Sequence, residues 1–235
     1  MSADLTGRRA LVTGSARGTG RATAERLADA GAQVVGVDIL DQEIGSMTDI
    51  HQADLGDPAA CIDLMASIGP VDIVANVHGL LQPRTIEETT IEDFDSAIAV
   101  NLRSVFLICQ QMAPAMADRG WGRIINFSSV VARSGGETSA AYAAAKAGVL
   151  ALSKSFASRF AADGVTVNSI APAAIDTPLN SFLDEAGRER IKGMIPVGRF
   201  SKPEEFAAVV HFLAGDEAGY ITGATIDVNG GWLMT

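Results

Sequence analysis

Residues 9–20 read Arg9-Ala10-Leu11-Val12-Thr13-Gly14-Ser15-Ala16-Arg17-Gly18-Thr19-Gly20, and a helical pattern follows through Ala22, Ala24, Leu27 and Ala28. A short apolar strand thus runs into a glycine-rich turn that opens a helix. Gly14 permits a tight turn, Gly18 lets the backbone approach a diphosphate, and Gly20 allows the helix to pack closely on the strand. The free N–H groups at the start of the helix favour a phosphate. Strand, glycines and helix in this order predict a nucleotide site.

The rest of the chain alternates short apolar runs with longer amphipathic stretches, which is the pattern of a parallel sheet with helices on both faces. Strands are predicted over 9–13, 33–37, 50–53, 72–75, 123–127, 165–171 and 225–228. Helices are predicted from Gly18, after Asp57-Pro58, from about Thr90, from about Ser139 and after Pro203. The interval 38–49 is short, so we expect a single turn or an irregular connection there.

These elements predict one α/β domain over residues 1–235, built on a seven-stranded, doubly wound parallel sheet with helices on both faces. We expect a nucleotide-binding half at about 1–120 and a catalytic and substrate half at about 121–235. The segment 180–200 follows the sixth strand at the end where ligands bind in such sheets, and it is interpreted as a substrate lid.

Bulk composition excludes several classes of function. The formal net charge is −10, so nucleic acid and anionic membrane surfaces are repelled on average. No apolar run approaches the ~18 residues that span a bilayer, and the N-terminus lacks the pattern of a secretory signal. Cys61 and Cys109 have no metal-type spacing and are interpreted as buried free thiols of a cytoplasmic protein. We therefore expect a cytoplasmic location, no metal, no membrane association and no nucleic acid partner.

Cofactor choice depends on Asp38, which closes the second predicted strand 20 residues after Gly18. A carboxylate at this place accepts hydrogen bonds from the adenosine ribose and repels a 2′-phosphate, so NAD is favoured over NADP. The apolar Ile39 agrees with this choice, whereas Arg17 is able to pair with a 2′-phosphate. The side chain of Asp54 has two possible roles: it accepts a hydrogen bond from the adenine amino group, or it caps the N-terminus of the helix that begins near Pro58.

The leading catalytic candidates are Tyr142 and Lys146, whose spacing of four residues puts a phenol and an ammonium on one helical face. A free tyrosine has a pKa of about 10, so about one in a thousand is ionised at pH 7. A neighbouring cation favours the phenolate. We therefore expect Lys146 to lower the pKa of Tyr142 toward the range that general acid–base chemistry needs.

With Thr13-Gly14-x-x-x-Gly18-x-Gly20, Asn101, Ser129 and Tyr142-x-x-x-Lys146 in this order, the chain resembles the short-chain dehydrogenase/reductase family over essentially its whole length. The resemblance implies a Rossmann-like subunit, commonly in a homotetramer, that transfers a hydride between nicotinamide and a carbonyl or secondary alcohol. It implies that Tyr142 exchanges the proton and Ser129 holds the substrate oxygen. It also implies that Lys146 binds the nicotinamide ribose and that Asn101 holds a water that links Lys146 to solvent.

The resemblance also identifies places where this chain departs from the family. Pro172-Ala173 stands where the family has Pro-Gly, and Asn76-Val77-His78-Gly79 stands where it has Asn-Asn-Ala-Gly. His78 is interpreted as a structural donor, with a substrate contact as the alternative. The expected cofactor-binding residues are Gly14, Arg17, Gly18, Thr19, Gly20, Asp38, Ile39, Asp54, Leu55, Asn76, Gly79, Tyr142, Lys146, Pro172, Ala173, Ile175 and Thr177.

The expected substrate pocket is mostly apolar, which favours a small alicyclic, aromatic or terpenoid alcohol over a sugar. Its candidate residues are Val130, Val131, Leu80, Leu81, Ala174, Leu179, Phe182, Leu183 and Met194. The main hypothesis is thus an NAD-dependent alcohol dehydrogenase. A 3-oxoacyl carrier-protein reductase that uses NADPH is the alternative, and a catalytically idle nucleotide sensor or scaffold is the third reading.

The predicted long helices carry small and apolar residues beyond those needed to cover the sheet. They include Ala145, Val149, Leu152, Phe106, Ile108 and Met112. We expect some of these to face the sheet and the remainder to pack against a second subunit, with the C-terminal Gly231-Trp232-Leu233-Met234 at another interface.

Overall fold

The computed structural model describes residues 3–136 and 140–234. Its strands form one parallel sheet in the order β3-β2-β1-β4-β5-β6-β7. The strands are β1 Arg9–Thr13, β2 Gln33–Asp38, β3 Asp49–Gln52, β4 Ile73–Asn76, β5 Gly122–Phe127, β6 Val165–Pro172 and β7 Thr225–Val228. The sequence predicted all seven, with end points that differ by at most one residue. The strand order reverses after β3, because β4 pairs with β1 on the side opposite β2. The carboxyl ends of β1 and β4 therefore flank a crevice.

Helices cover both faces, which confirms the predicted fold class. They are α1 Gly18–Asp29, α2 Pro58–Ile68, α3 Ile91–Ile98, α4 Ser104–Asp118, α5 Val131–Ser134, α6 Ala140–Phe160, α7 Glu185–Met194 and α8 Pro203–Ala214. The short α5 and α7, which lies in the segment interpreted above as a lid, are additions to the sequence prediction. Asp184 caps α7 by accepting the N–H of Gly187 at 2.8 Å. Polar and charged residues dominate α7, so this helix lacks a clear apolar face in the sequence.

The helix predicted from Thr90 is interrupted by a π-helical turn. Thr90 begins it with a capping box in which its hydroxyl accepts the N–H of Asp93 at 3.1 Å. After α3, residues Ala99–Arg103 form the π turn, and α4 continues from Ser104. Asn101 lies in the middle of this turn and is fully buried. π turns inside α-helices are rare and are frequently found at functional sites.

Two apolar cores fill the spaces between the sheet and its helices. One core packs strand side chains against α2, α4 and α6, with Leu11, Val74 and Ile124 at its centre. The other packs the opposite faces of the same strands against α1 and α8. Because strands buried on both faces need apolar residues throughout, these segments read as nearly continuous apolar runs.

The connection between β2 and β3 contains no helix, as its length predicted. It folds back over β2, where Gly36 makes room for it. A Cβ at Gly36 would collide with the sulfur of Met47 and lie 2.7 Å from the hydroxyl of Ser15. The connection therefore packs directly against the turn after β1.

Asp57 caps α2 by accepting the N–H of Ala59 at 2.9 Å. Asp54 accepts the N–H of Gly56 at 2.8 Å instead, so its reading as the helix cap is wrong. Within 3–136 and 140–234, no helix combines the length and apolar character needed to cross a bilayer. The same ranges contain no cluster of three metal-ligating side chains.

Candidate active site

A cavity of about 820 Å³ lies along the carboxyl ends of the strands. Its wall begins at the glycine turn after β1 and continues through the ends of β2, β4, β5 and β6 to the segment 177–182. This is the place where open α/β sheets bind ligands, and the volume accommodates a dinucleotide with a small substrate.

The glycine turn fits a dinucleotide because its backbone is bare where a diphosphate would approach. Gly18 has a φ of +55°, and a Cβ there would come within 3.0 Å of Thr177 Cγ2 across the cavity. A Cβ at Gly14 would meet the backbone of His78 at 2.9 Å, and one at Gly20 would collide with the Gly14 carbonyl. The first residues of α1 line the cavity, and no side chain caps that helix. Its N–H groups are thus available to a phosphate.

Asp38 lies in the cavity wall at the end of β2, with only 9% of its surface exposed. One carboxylate oxygen accepts the N–H of Ala16 and the other accepts the N–H of Leu40, both at 3.0 Å. These bonds fix the orientation of the carboxylate and leave a lone pair on each oxygen for a further donor. Arg17 also borders the cavity, but its side chain is exposed.

The neighbouring β2–β3 connection is tied to the glycine turn. The Ser15 hydroxyl donates to Gln42 Oε1 at 2.8 Å, and Gln42 Nε2 donates to the carbonyl of His51 at 3.3 Å. Asp38 therefore sits between two backbone segments that side-chain hydrogen bonds hold together.

Ser129, Tyr142 and Lys146 meet in the cavity wall below the end of β5. Ser129 and Tyr142 share a hydrogen bond, and burial raises the pKa of Tyr142 to about 12 although this bond opposes the shift. Lys146 is 2% exposed and donates to the carbonyl of Phe127 at 2.8 Å. Burial lowers the pKa of Lys146 to about 8.

The expected effect of Lys146 on Tyr142 is therefore not produced by the protein groups alone. The ammonium lies 5.6 Å from the centre of the tyrosine ring. Desolvation outweighs every other influence on the phenol, so the pKa of Tyr142 moves upward rather than downward. The neutral phenol is the form that the enclosed site stabilises.

Asn101 supports the cavity from behind its wall. Its amide donates to the carbonyls of Leu80 and Ala97, both at 2.9 Å, and its Oδ1 accepts the N–H of Leu80 at 3.0 Å. A Cβ at Gly79 would lie 3.2 Å from Asn101 Oδ1 and 3.6 Å from Lys146 Nζ. Asn101 and Lys146 thus approach the same glycine, and the expected water relay between them stays a prediction.

The cavity wall contains the other predicted cofactor residues with one exception. They are Gly14, Arg17, Gly18, Thr19, Gly20, Asp38, Ile39, Asp54, Leu55, Gly79, Tyr142, Lys146, Pro172, Ala173, Ile175 and Thr177. The exception is Asn76, which is 1% exposed and donates to Asn126 Oδ1 at 2.8 Å. Its side chain points away from the cavity, toward Asn126 and Cys109 of α4, because alternate residues of a strand face opposite sides. A contact between the Asn76 backbone and the cofactor stays a prediction.

The substrate end of the cavity contains most of the predicted residues. Val130, Val131, Leu80, Leu81, Ala174, Leu179 and Phe182 line it. Leu183 and Met194 are not part of the wall: Leu183 lies beside Gly187 of α7, and Met194 is half exposed at the end of that helix. The sequence analysis did not assign Pro83, Ser96, Ile191 and Trp232 to the site, although they line it. Trp232 was expected at a subunit interface, and only its tertiary packing reveals its position in the wall.

Known proteins match both the sequence and this architecture. A family model described as Enoyl-(Acyl carrier protein) reductase matches residues 14–233. The 3-oxoacyl-[acyl-carrier-protein] reductase of Escherichia coli (strain K12) is 39% identical, over 97% of this chain and 98% of the relative. The acetoacetyl-CoA reductase of Rhizobium meliloti (strain 1021) is 40% identical, over 94% and 97% respectively. The chain belongs to the short-chain dehydrogenase/reductase family.

A solved member of the short-chain dehydrogenase/reductase family superposes on the whole chain. It is described as a putative NAD(P) dependent gluconate 5-dehydrogenase from Beutenbergia cavernae with bound NADP at low occupancy. Its TM-score is 0.94 at 32% identity, and the match covers 99% of both chains. The chain is therefore an NAD(P)-dependent oxidoreductase of the short-chain dehydrogenase/reductase type.

The charges of this short-chain dehydrogenase/reductase are unevenly distributed around the cavity. Asp38, Asp54, Arg17 and Lys146 border its nucleotide and catalytic parts. The described wall at the substrate end contributes no charged side chain. Arg133 lies close by but pairs with Asp227 at 2.8 Å.

Proposed function

We propose that the protein is an NAD-linked oxidoreductase that interconverts a carbonyl and a secondary alcohol on a substrate with an apolar body. The observation that supports this proposal is the hydrogen-bonded pair of Ser129 and Tyr142 in the cavity wall, with Lys146 in the same wall. An idle nucleotide sensor would not need a buried phenol and a buried ammonium side by side, since burial penalises the charged forms of both.

Each residue has a distinct role in this chemistry. In the reductive direction Ser129 donates a hydrogen bond to the carbonyl oxygen, and Tyr142 gives that oxygen its proton. In the oxidative direction Tyr142 removes the hydroxyl proton instead. Lys146 would hold the nicotinamide ribose, and its ammonium provides positive charge 5.6 Å from the centre of the phenol ring. The dinucleotide, when bound, supplies or accepts the hydride, so the two electrons and the proton balance the change at the carbon.

NAD is the proposed cofactor because of Asp38. Its carboxylate is fixed by two backbone N–H groups and borders the cavity at the end of β2. Two ribose hydroxyls would satisfy its remaining lone pairs, whereas a 2′-phosphate would bring a second anion against it. The exposed Arg17 offers a 2′-phosphate only a solvent-screened partner. NADP bound to the Beutenbergia cavernae protein is a property of that protein.

A 3-oxoacyl thioester is the first candidate substrate. The Escherichia coli and Rhizobium meliloti relatives are named as reductases of such compounds. An acyl chain beyond the reacting carbonyl requires an apolar channel, and Leu81, Leu179, Phe182 and Ile191 offer one. The net charge of −10 opposes an acidic carrier protein over its whole docking surface. Coenzyme A is also an anion, but its phosphates lie at the far end of the pantetheine arm from the thioester, so its ester is the preferred form of this substrate.

A small alicyclic, aromatic or terpenoid alcohol is the second candidate. The same apolar wall supports it, and no carrier is required. A sugar acid is disfavoured because the described wall at the substrate end offers no cation to its carboxylate.

The test is turnover of the purified protein followed at the reduced-nicotinamide band. Acetoacetyl-CoA and cyclic or aromatic ketones are offered with NADH and with NADPH, and gluconate and cyclic alcohols with NAD and with NADP. NADH-linked reduction of acetoacetyl-CoA supports the first candidate, and faster turnover of the cyclic compounds supports the second. Turnover with NADPH alone overturns the cofactor proposal, and fastest turnover of gluconate overturns the apolar substrate.

A further inference from the structure

His78 occupies a position where the family pattern quoted above has alanine, and it lines the cavity. Its ring contacts two other parts of the fold. Nδ1 lies 2.6 Å from the hydroxyl of Thr13 at the end of β1. Nε2 lies 2.8 Å from the hydroxyl of Ser104 and 3.1 Å from the carbonyl of Val100, both at the π-helical turn. The imidazole thus bridges the end of β1 and the helix that carries Asn101.

One assignment of hydrogens satisfies all of these groups. The Thr13 hydroxyl donates to Nδ1, Nε2–H donates to the Ser104 hydroxyl, and that hydroxyl donates to the Val100 carbonyl at 2.6 Å. This arrangement requires a neutral ring. Burial and the charge of Lys146 lower the pKa of His78 to about 3, so the ring stays neutral at working pH.

The two ends of the bridge are not equivalent. At the β1 end, the Thr13 hydroxyl also accepts the backbone N–H of Val77 at 3.2 Å, so that contact persists without the imidazole. At the other end, the ring of His78 reaches the π-helical turn directly. Asn101 in that turn holds the N–H and the carbonyl of Leu80, two residues beyond His78. Side chains 78 and 101 therefore fasten the same short loop to the same turn from two places.

We propose that His78 is a positioning residue, which uses its Nε2 side to hold the 77–81 loop and the π-helical turn in register. The loop forms the cavity wall where Gly79 faces Asn101 and Lys146, so a shift of a few tenths of an ångström changes the space open to the dinucleotide. This inference rests on the proposed function only in that the cavity binds a nicotinamide dinucleotide.

The test compares two conservative substitutions. In His78→Asn the side-chain amide reaches the place of Nδ1, and in His78→Gln it reaches the place of Nε2. Each variant loses one side of the bridge, so both are expected to lose similar thermal stability. We expect His78→Asn and His78→Ala to bind the dinucleotide about tenfold more weakly, with His78→Gln within about threefold of the wild type.

Calorimetry measures the dissociation constant of whichever dinucleotide the wild type prefers, and the melting temperature is recorded for every variant. Equal affinities in His78→Asn and His78→Gln, at any level, overturn the proposal, because the ring would then act only through the space it fills. The readout needs no substrate. A wild type that binds dinucleotide but reduces no carbonyl therefore contradicts the proposed function while the inference stands. A wild type that binds no dinucleotide overturns both.

Discussion

The ammonium of Lys146 lies 5.6 Å from the centre of the Tyr142 ring and donates its hydrogen bond to the carbonyl of Phe127 at 2.8 Å. Both side chains come from one face of α6, and the backbone of β5 supplies the acceptor. The strand thus determines where the lysine charge sits relative to the phenol. Burial of the phenol outweighs this charge and keeps Tyr142 as a neutral acid in the protein, which is the form required to reduce a carbonyl.

Replacing Tyr142 with phenylalanine removes the proton donor and preserves the ring. We expect turnover to fall by about three orders of magnitude or more, while the dinucleotide affinity stays within about threefold of the wild type. The matched control is Tyr220→Phe, because Tyr220 is the other tyrosine of the chain and is fully exposed. Turnover at the wild-type level in Tyr142→Phe would remove the phenol from the mechanism.

The two directions of reaction have different pH dependences. Oxidation needs the phenolate, and the pKa of Tyr142 is raised to about 12, so the oxidation rate should rise about tenfold per pH unit between pH 6 and 8. Above pH 8 the rise should become less steep, because the loss of the Lys146 proton affects both directions. Reduction uses the neutral phenol and should be level below pH 8. Above pH 8 it should fall, since Lys146, with its pKa lowered to about 8, loses its proton. Initial rates in both directions measure these slopes, and two flat profiles would contradict the assignment.

Replacing Asp38 with alanine removes the charge that opposes a 2′-phosphate. We expect the kcat/KM for NADH, divided by that for NADPH, to fall by about tenfold or more, mainly because the KM for NADH rises. The Ser15–Gln42 hydrogen bond still holds the β2–β3 connection, so the fold should persist. Asp41→Asn, on the exposed part of this connection, is the control and should leave the ratio unchanged. An unchanged ratio in Asp38→Ala would transfer cofactor choice to Arg17.

Self-association is expected through the outer faces of α3 and α4. Ile91, Phe94 and Phe106 are exposed there, and Phe106 makes an edge contact with Phe156 of α6. We expect light scattering to report a tetramer and Phe106→Glu to convert it to smaller species. Ile62→Glu on α2 is the control, because Ile62 is exposed to a similar extent (38% against 39%). A monomeric wild type would contradict this prediction.

Features that depend on neighbouring residues in the sequence could be predicted, whereas those that depend on tertiary contacts could not. The strands and the glycine turn follow from local apolar runs and from Gly14, Gly18 and Gly20, so the fold and the nucleotide site could be predicted. Side-chain direction at a strand end could not, and Asn76 consequently points toward Asn126 instead of the cavity. The pKa of Tyr142 depends on how many atoms surround the phenol, which spacing along a helix does not determine.

Helix packing also decides which apolar residues of the long helices are buried and which are exposed. Ala145, Val149, Ile108 and Met112 are buried within the chain, whereas Phe106 remains on the surface. Periodicity identified all of them as apolar faces of helices. Only the packing of α4 and α6 on the sheet decided which of these residues remain exposed.

The π-helical turn at Ala99–Arg103 takes up one residue more than regular helix needs. Its hydrogen bonds join residues five apart, whereas those of an α-helix join residues four apart. Because the extra residue is absorbed within the turn, α3 and α4 keep the relative rotation of one continuous helix. Deletion of one residue here would therefore remove the widened turn that holds Asn101 and leave the buried faces of α3 and α4 in place. Deletion of one residue within α4 would instead turn the rest of that helix by about 100°.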